Sequence, residues 1–230
     1  DLEYEKLRSQ RRNLYEVVEN LDTNLGRILD TLDRERLSES TVIAYISDNG
    51  VFFGEHRMIR KGATFYEEQV RVPLIIKDPR IAIQASPIDA LTSSIDFMPT
   101  LLELLAIPSP SDIPGRSFAK LLDGSARSIR DSVFLEYEGW RKWTYPIRGL
   151  VWKQYKFTHY IATGYHDAFQ FELYDLDHDP HELSNLLGPV ELSTGTDENP
   201  FITLARDPSM KEIIETIRLE MATWQEDTLD

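Results

Sequence analysis

The run Thr41-Val42-Ile43-Ala44-Tyr45-Ile46, which stops abruptly at Ser47-Asp48-Asn49-Gly50, limits the fold more than any other feature of the chain. An unbroken β-branched and aromatic stretch predicts a strand buried on both faces, the setting of a mostly parallel sheet covered by helices. A second such run is Val72-Pro73-Leu74-Ile75-Ile76-Lys77. Its proline is confined to the start, where a strand tolerates it. Before the first run, Leu14, Val17, Val18, Leu21, Leu25, Ile28, Leu29 and Leu32 recur at three- and four-residue steps. That spacing predicts an amphipathic helix starting as early as Tyr4 and ending near Arg36. Asp89 to Ile95 reads as a third, weaker strand. Pro99 opens an apolar helix over Thr100 to Ala106, and Ser117 to Leu122 reads as a short helix ended by Gly124. Helix alternating with strand favours an α/β layer architecture.

The pattern changes near Ser125. Ser132 to Tyr137, Tyr145 to Trp152, Tyr155 to Ile161 and Phe169 to Asp175 are closely spaced strand candidates with turn signals between them. They predict an antiparallel meander. In Tyr155-Lys156-Phe157 the alternation assigns Lys156 to a solvated face. Asp177 to Asn199 is acidic and loop-rich, and Met210 to Trp224 carries a last helical stripe. The expected organisation is therefore an α/β portion over residues 1–125 and a small α+β subdomain over 126–230.

Composition removes whole classes of function. The chain has 230 residues and no cysteine, so it holds no disulfide, no Cys-based zinc site and no thiol nucleophile. With 25 Lys+Arg against 39 Asp+Glu, its net charge is −14. A nucleic-acid binder needs a basic face instead. No apolar run approaches the ~18 residues of a membrane span. The chain opens Asp1-Leu2-Glu3 with neither Met nor signal segment, and so reads as cut from a longer protein.

Candidate chemistry gathers where the first strand ends. In open α/β sheets ligands bind beyond the carboxyl ends of the strands. Asp48 and Asn49 offer hard oxygens suited to Ca²⁺ or Mg²⁺, although Asp-Asn-Gly is also a common turn. Gly54-Glu55-His56 and then Lys61 can hold an anion or form a solvated charged loop. Trp140-Arg141-Lys142-Trp143 suits stacking on a sugar or a hairpin loop. His178-Asp179-Pro180-His181-Glu182 has a metal-site composition, yet Pro180 breaks any helix that would align its histidines.

Taken in order, Ile46-Ser47-Asp48-Asn49-Gly50-Val51-Phe52-Phe53-Gly54-Glu55-His56, Lys61, Tyr66-Glu67-Glu68 and Arg71-Val72-Pro73-Leu74-Ile75-Ile76 resemble the sulfatase family of the alkaline-phosphatase superfamily. Tyr15 to Leu32, with Asp22, Asn24 and Gly26, is similar to the helix that precedes the metal-binding strand there. Ser94-Ile95-Asp96-Phe97-Met98-Pro99-Thr100-Leu101-Leu102, Gly115-Arg116-Ser117 and Glu172-Leu173-Tyr174-Asp175-Leu176 with Asp179-Pro180, Glu182 and Asn185-Leu186 resemble further family segments.

The resemblance implies an alkaline-phosphatase-like sandwich with a mostly parallel sheet, followed by a small α+β subdomain with an antiparallel sheet. It implies a sulfuric ester hydrolase acting on a sulfated small molecule or glycan. Asp48 and Asn49 would ligate the divalent cation, usually Ca²⁺, Lys61 would contact the sulfate and His56 would lie near the substrate. Family members use a formylglycine nucleophile from a "C/S-x-P-x-R" motif and a further Asp-Asp pair, and neither motif is in this chain. Asp112-Ile113-Pro114-Gly115-Arg116 shares two offsets by coincidence. The implied partner is a missing N-terminal half of the catalytic domain, without which the chain is expected to be inert. Other readings are a phosphodiesterase or phosphonate monoester hydrolase of the same superfamily, or an inactive sulfatase-like fragment. Asp-His often replaces Asp-Asn in those hydrolases, so Asn49 favours a sulfatase. Periplasmic, secreted and lysosomal placements all occur in the family.

Overall fold

The computed structural model describes residues 2–81, 87–139, 145–161, 170–187 and 208–228. It divides into two compact units. The first takes Asp1–Gly62 and Glu68–Ile129, and the second takes Ala63–Glu67 and Arg130–Asp230. No helix among the described residues is long and apolar enough to cross a membrane.

The first unit begins with α1 (Leu2–Arg34). Leu7, Leu14, Leu25, Leu29 and Leu32 are half-buried, while Val17, Val18, Leu21 and Ile28 of the predicted stripe are exposed. The helix closes with Leu37 N–H donating to Leu32 C=O (2.8 Å) and Arg36 N–H donating to Asp33 C=O (3.1 Å). Arg36 takes the left-handed conformation that this termination needs. After a 3₁₀ turn come β1 (Ile43–Ile46), β2 (Phe52–Phe53), β3 (Ile59–Arg60), α2 (Glu67–Val70) and β4 (Leu74–Lys77). β1 pairs antiparallel with β4, with Ile43 opposite Lys77 and Ile46 opposite Leu74. Full burial on both faces was expected of these strands. Ala44 and Ile75 are nevertheless exposed among the described residues. β2 and β3 form a second short antiparallel ladder.

Asp89 to Ile95 forms no strand. A 3₁₀ turn at Ser94–Asp96 leads directly into α3 (Phe97–Leu104). A buried carboxylate explains the difference. Asp96 is fully buried and accepts hydrogen bonds from Ser93 N–H (2.8 Å) and Arg116 N–H (2.7 Å). These bonds direct the backbone into a cap rather than a ladder. Thr100 Oγ1 in turn accepts from Phe118 N–H at 3.0 Å, just ahead of α4 (Ala119–Leu122). A Cβ on Gly115 would lie 2.0 Å from Ile95 O, so this crossing requires glycine. The Asp112–Arg116 string is thus a packing element.

In the second unit β5 (Ser132–Tyr137), β6 (Ile147–Trp152), β7 (Tyr155–Tyr160) and β8 (Gln170–Asp175) form the expected antiparallel meander in sequential order. One face packs against α5 (Pro208–Thr228). Leu150, Phe157, Phe171 and Leu173 meet Ile214, Ile217 and Met221 there. Trp224 stacks on Phe134 at 5.0 Å.

Lys156 is not solvated, contrary to the alternation argument. It is 1% exposed, with Nζ 2.9 Å from Glu67 Oε1 and 2.8 Å from Glu182 Oε1. The segment Ala63–Glu67 covers this face of the sheet, so β7 is buried on both sides. A Cβ on Gly149 would strike the Phe65 ring at 2.7 Å. Tyr66 and Tyr160 hydroxyls both donate to Glu172, at 3.0 and 3.1 Å. Burial pushes the Glu182 carboxyl above its ordinary range, while the Lys156 ammonium opposes that shift. Such a buried cluster holds only while every charge keeps its partner.

The segment after β8 is a polar turn. Asp179 accepts from Leu183 and Ser184 N–H groups, and Asn185 bridges Leu173 N–H, Leu187 N–H and Phe171 C=O. His178 is exposed and bonds to Asp175 at 3.0 Å, so its composition serves the turn. Trp140–Trp143 and the later part of the acidic loop lie outside the described residues.

Candidate functional site

β1 delivers Ser47-Asp48-Asn49-Gly50 into a loop shaped by its own side chains. Ser47 Oγ donates to Asn49 C=O at 3.1 Å. Asp48 Oδ1 accepts from Asn49 N–H at 2.8 Å. Asn49 Nδ2 donates to Gly50 C=O at 2.8 Å, which aims Oδ1 of the same amide away from the turn. That oxygen accepts from Lys61 Nζ at 3.0 Å. Lys61 Nζ is also 3.7 Å from Asp48 Oδ2. Asp48 and Lys61 side chains are 80% and 63% exposed, so their attraction is screened by water. The Asn49 N–H and then Lys61 hold the Asp48 carboxyl below the ordinary carboxylate range. It is therefore anionic at neutral pH. Two hard oxygens converge on one cation, here an ammonium. The same donors suit a hard divalent ion, which needs about six oxygens in all for calcium.

Both loops hang on Gln69, a residue that the sequence did not single out. Its main-chain carbonyl accepts from Gly50 N–H at 2.8 Å. Its side chain brackets Gly62, with Nε2 donating to Gly62 C=O (2.7 Å) and Oε1 accepting from Gly62 N–H (2.9 Å). The amide orientation follows from the partners, because a backbone N–H can only donate. Gly50 approaches this turn so closely that a Cβ would lie 1.9 Å from Glu68 O. The sequence signal was faint. A lone Gln in a four-residue helix matches no motif, and only the pairing of Gly50 with Gly62 exposes its role.

His56 lies in a tight turn with left-handed backbone at Gly54, His56 and Arg57. Its ring meets Phe52 edge-on at 6.4 Å, and Nε2 lies 3.6 Å from Glu68 Oε2. The side chain is only 11% exposed. These contacts are those of a residue packed into its loop. Glu55 staples the same turn to α1. It accepts from Phe53 N–H at 2.6 Å and from Arg11 Nη2 at 2.7 Å. The structure thus brings Asp48, Asn49 and Lys61 together and places His56 in a packed turn nearby in sequence.

Residues 54–199, well over half the chain, match the family model of the N-sulphoglucosamine sulphohydrolase C-terminal domain. An N-acetylglucosamine-6-O-sulfatase of Bacteroides thetaiotaomicron is 32% identical over 81% of this chain and 33% of its own length. A solved structure of a protein in complex with its substrate, D-glucosamine-2-N,6-O-disulfate, superposes with a TM-score of 0.74 at 27% identity. That match covers 92% of this chain and 40% of the solved one. The phosphonate monoester hydrolase of Agrobacterium radiobacter superposes with a TM-score of 0.70 at 23% identity, over 90% of this chain and 39% of its own, and shows likeness of fold alone. The chain spans about a third of the length of the curated relatives that it matches first. These likenesses agree with the α/β architecture expected from the sequence.

Proposed function

The chain belongs to the sulfatase family, and from that premise we propose that it forms part of the active site of a sulfuric ester hydrolase. The observation that carries the reading is the convergence of Asp48 and Asn49 oxygens on the Lys61 ammonium. A metal-and-sulfate site needs that arrangement, with hard oxygens for a cation beside a positive group for an anion. Residues 1–125 are read as a carboxy-terminal portion of the catalytic domain, and residues 126–230 as a small C-terminal α+β subdomain. The remaining metal ligands and the formylglycine nucleophile would come from residues outside this sequence.

In this reading Asp48 and Asn49 would hold Ca²⁺ or Mg²⁺. When bound, the cation draws charge from the sulfate oxygens as a Lewis acid. Lys61 then has to turn from Asn49 toward the ester. Its exposed side chain has the freedom to do so. There it binds a sulfate oxygen and offsets negative charge that develops on the ester oxygen as the S–O bond breaks. Asp48 remains ionised because Asn49 N–H and Lys61 favour its charged form. The net charge of −14 repels a sulfate ester at long range, but screening limits that to about 8–10 Å. Local positive charge therefore governs capture. The substrate is a sulfated small molecule or glycan, and the sulfated amino sugars named for similar proteins favour a sulfated sugar.

The likeness to a phosphonate monoester hydrolase favours a second reading, in which the same site accepts phosphorus esters. Assays of the complete protein on an aryl sulfate and an aryl phosphate diester separate the two. Faster sulfate hydrolysis is expected, and the reverse ranking would replace the first reading with the second. Hydrolysis of neither would favour an inactive sulfatase-like protein.

A further inference from the structure

We propose that Gln69 is a positioning residue that sets Lys61 through its side chain and the Asp48–Asn49 loop through its backbone. The proposal rests on the sulfatase reading for its catalytic consequence, but the geometry stands without it. One residue addresses both halves of the site through chemically separate groups. The main-chain carbonyl of Gln69 fixes Gly50, the neighbour of Asn49. The side-chain amide fixes Gly62, the neighbour of Lys61, through two hydrogen bonds of 2.7 and 2.9 Å. An amide that donates and accepts across one peptide unit holds its position and also its rotation. Lys61 directly precedes Gly62 and has an exposed side chain, so its stem begins between the end of β3 at Arg60 and the Gly62 peptide that Gln69 grips.

The division of labour makes the proposal specific. A side-chain substitution at Gln69 leaves its carbonyl, and hence the Gly50 bond, in place. It releases only the Lys61 side. Placement errors of about 1 Å remote from the reacting atoms cost about a hundredfold in rate, so the loss should fall on turnover. Metal affinity should stay unchanged, because Asp48 and Asn49 keep their own turn bonds. Glutamate is the informative conservative change. It keeps an acceptor for Gly62 N–H but sets a carboxylate oxygen against Gly62 C=O.

The test uses the complete protein with Gln69→Leu and Gln69→Glu. Hydrogen exchange followed by mass spectrometry would use peptides that separate residues 48–52 from residues 59–64. In Gln69→Leu, exchange at Gly62 should accelerate about tenfold, the scale of a lost hydrogen bond, with exchange at Gly50 unchanged. Turnover of an aryl sulfate should fall about ten- to hundredfold, with Ca²⁺ affinity within about twofold of wild type. Gln69→Glu should lie between wild type and Gln69→Leu in both readouts, and it serves alone if the leucine variant does not fold. Equal acceleration in both peptides, or none at Gly62, would overturn the proposal. So would full turnover with Gly62 released. If the wild-type protein shows no sulfatase activity, the exchange pattern still decides whether Gln69 positions Lys61. Failure of the sulfatase reading is thereby kept apart from failure of this one.

Discussion

Lys61 Nζ stands 3.0 Å from Asn49 Oδ1 and 3.7 Å from Asp48 Oδ2, so one ammonium sits where the two candidate metal ligands converge. A divalent ion bound there would compete with it. Lys61→Met should therefore lower turnover by about a hundredfold, the range seen when one transition-state donor is removed. The affinity for Ca²⁺ should be unchanged or higher, because a competing positive charge has gone. Calorimetric titration beside a turnover assay of the complete protein measures both. Undiminished turnover would remove Lys61 from the sulfate-binding role.

Gly50 is held by sterics as well as by hydrogen bonding. Its N–H donates to Gln69 C=O at 2.8 Å, and an added Cβ would lie 1.9 Å from the backbone oxygen of Glu68. Backbone cannot swing aside as a flexible side chain can. Gly50→Ala should cost about 1–3 kcal/mol, within the usual range for overpacking. It should also displace Asn49 and weaken metal binding. Thermal unfolding reads the first effect, and a Tm equal to wild type would show that the loop is looser than described.

His159 provides a stability signal independent of catalysis. Burial, with Arg148 adding to it, pushes its imidazole down to about 4 from an ordinary 6.5. The ring stacks on Phe171 at 4.5 Å. The unfolded chain protonates this histidine at higher pH than the folded one. Its contribution is thus fully present above pH 6.5 and is lost as pH falls toward 4. That difference is on the order of 3 kcal/mol, from a fall of 6.5 to about 4 at about 1.36 kcal/mol per unit. Denaturant melts across this window should fall more steeply for wild type than for His159→Leu. Parallel curves would show that His159 does not titrate differently on folding.

Much of the fold could be read from the sequence because periodicity reports burial directly. The meander over residues 132–175 and the last helix appear within a few residues of their expected bounds. Asp48, Asn49 and Lys61 were singled out because their order resembles a family pattern, and the structure brings the three side chains together. Lys156 was misread for a physical reason. Alternation assumes one wet face, but Ala63–Glu67 covers the second face of β7, where Glu67 and Glu182 pair with the lysine. Asp89 to Ile95 was misread because Asp96, buried and tied to the Arg116 N–H twenty residues on, turns the backbone into a cap. Gln69 was invisible because its function lies in two backbone partners that no motif encodes.

Whether Asp48 holds a metal decides the chemistry of this site. The most direct measurement is the Ca²⁺ affinity of the complete protein and of its Asp48→Ala variant by calorimetry, with aryl sulfate turnover recorded on the same samples. Asp48→Ala should weaken Ca²⁺ binding by about a hundredfold or more, since loss of even a group behind the ligands costs up to that factor. Turnover should collapse with it. Wild-type affinity and wild-type turnover in Asp48→Ala would contradict the metal assignment, and with it the site proposed for this chain.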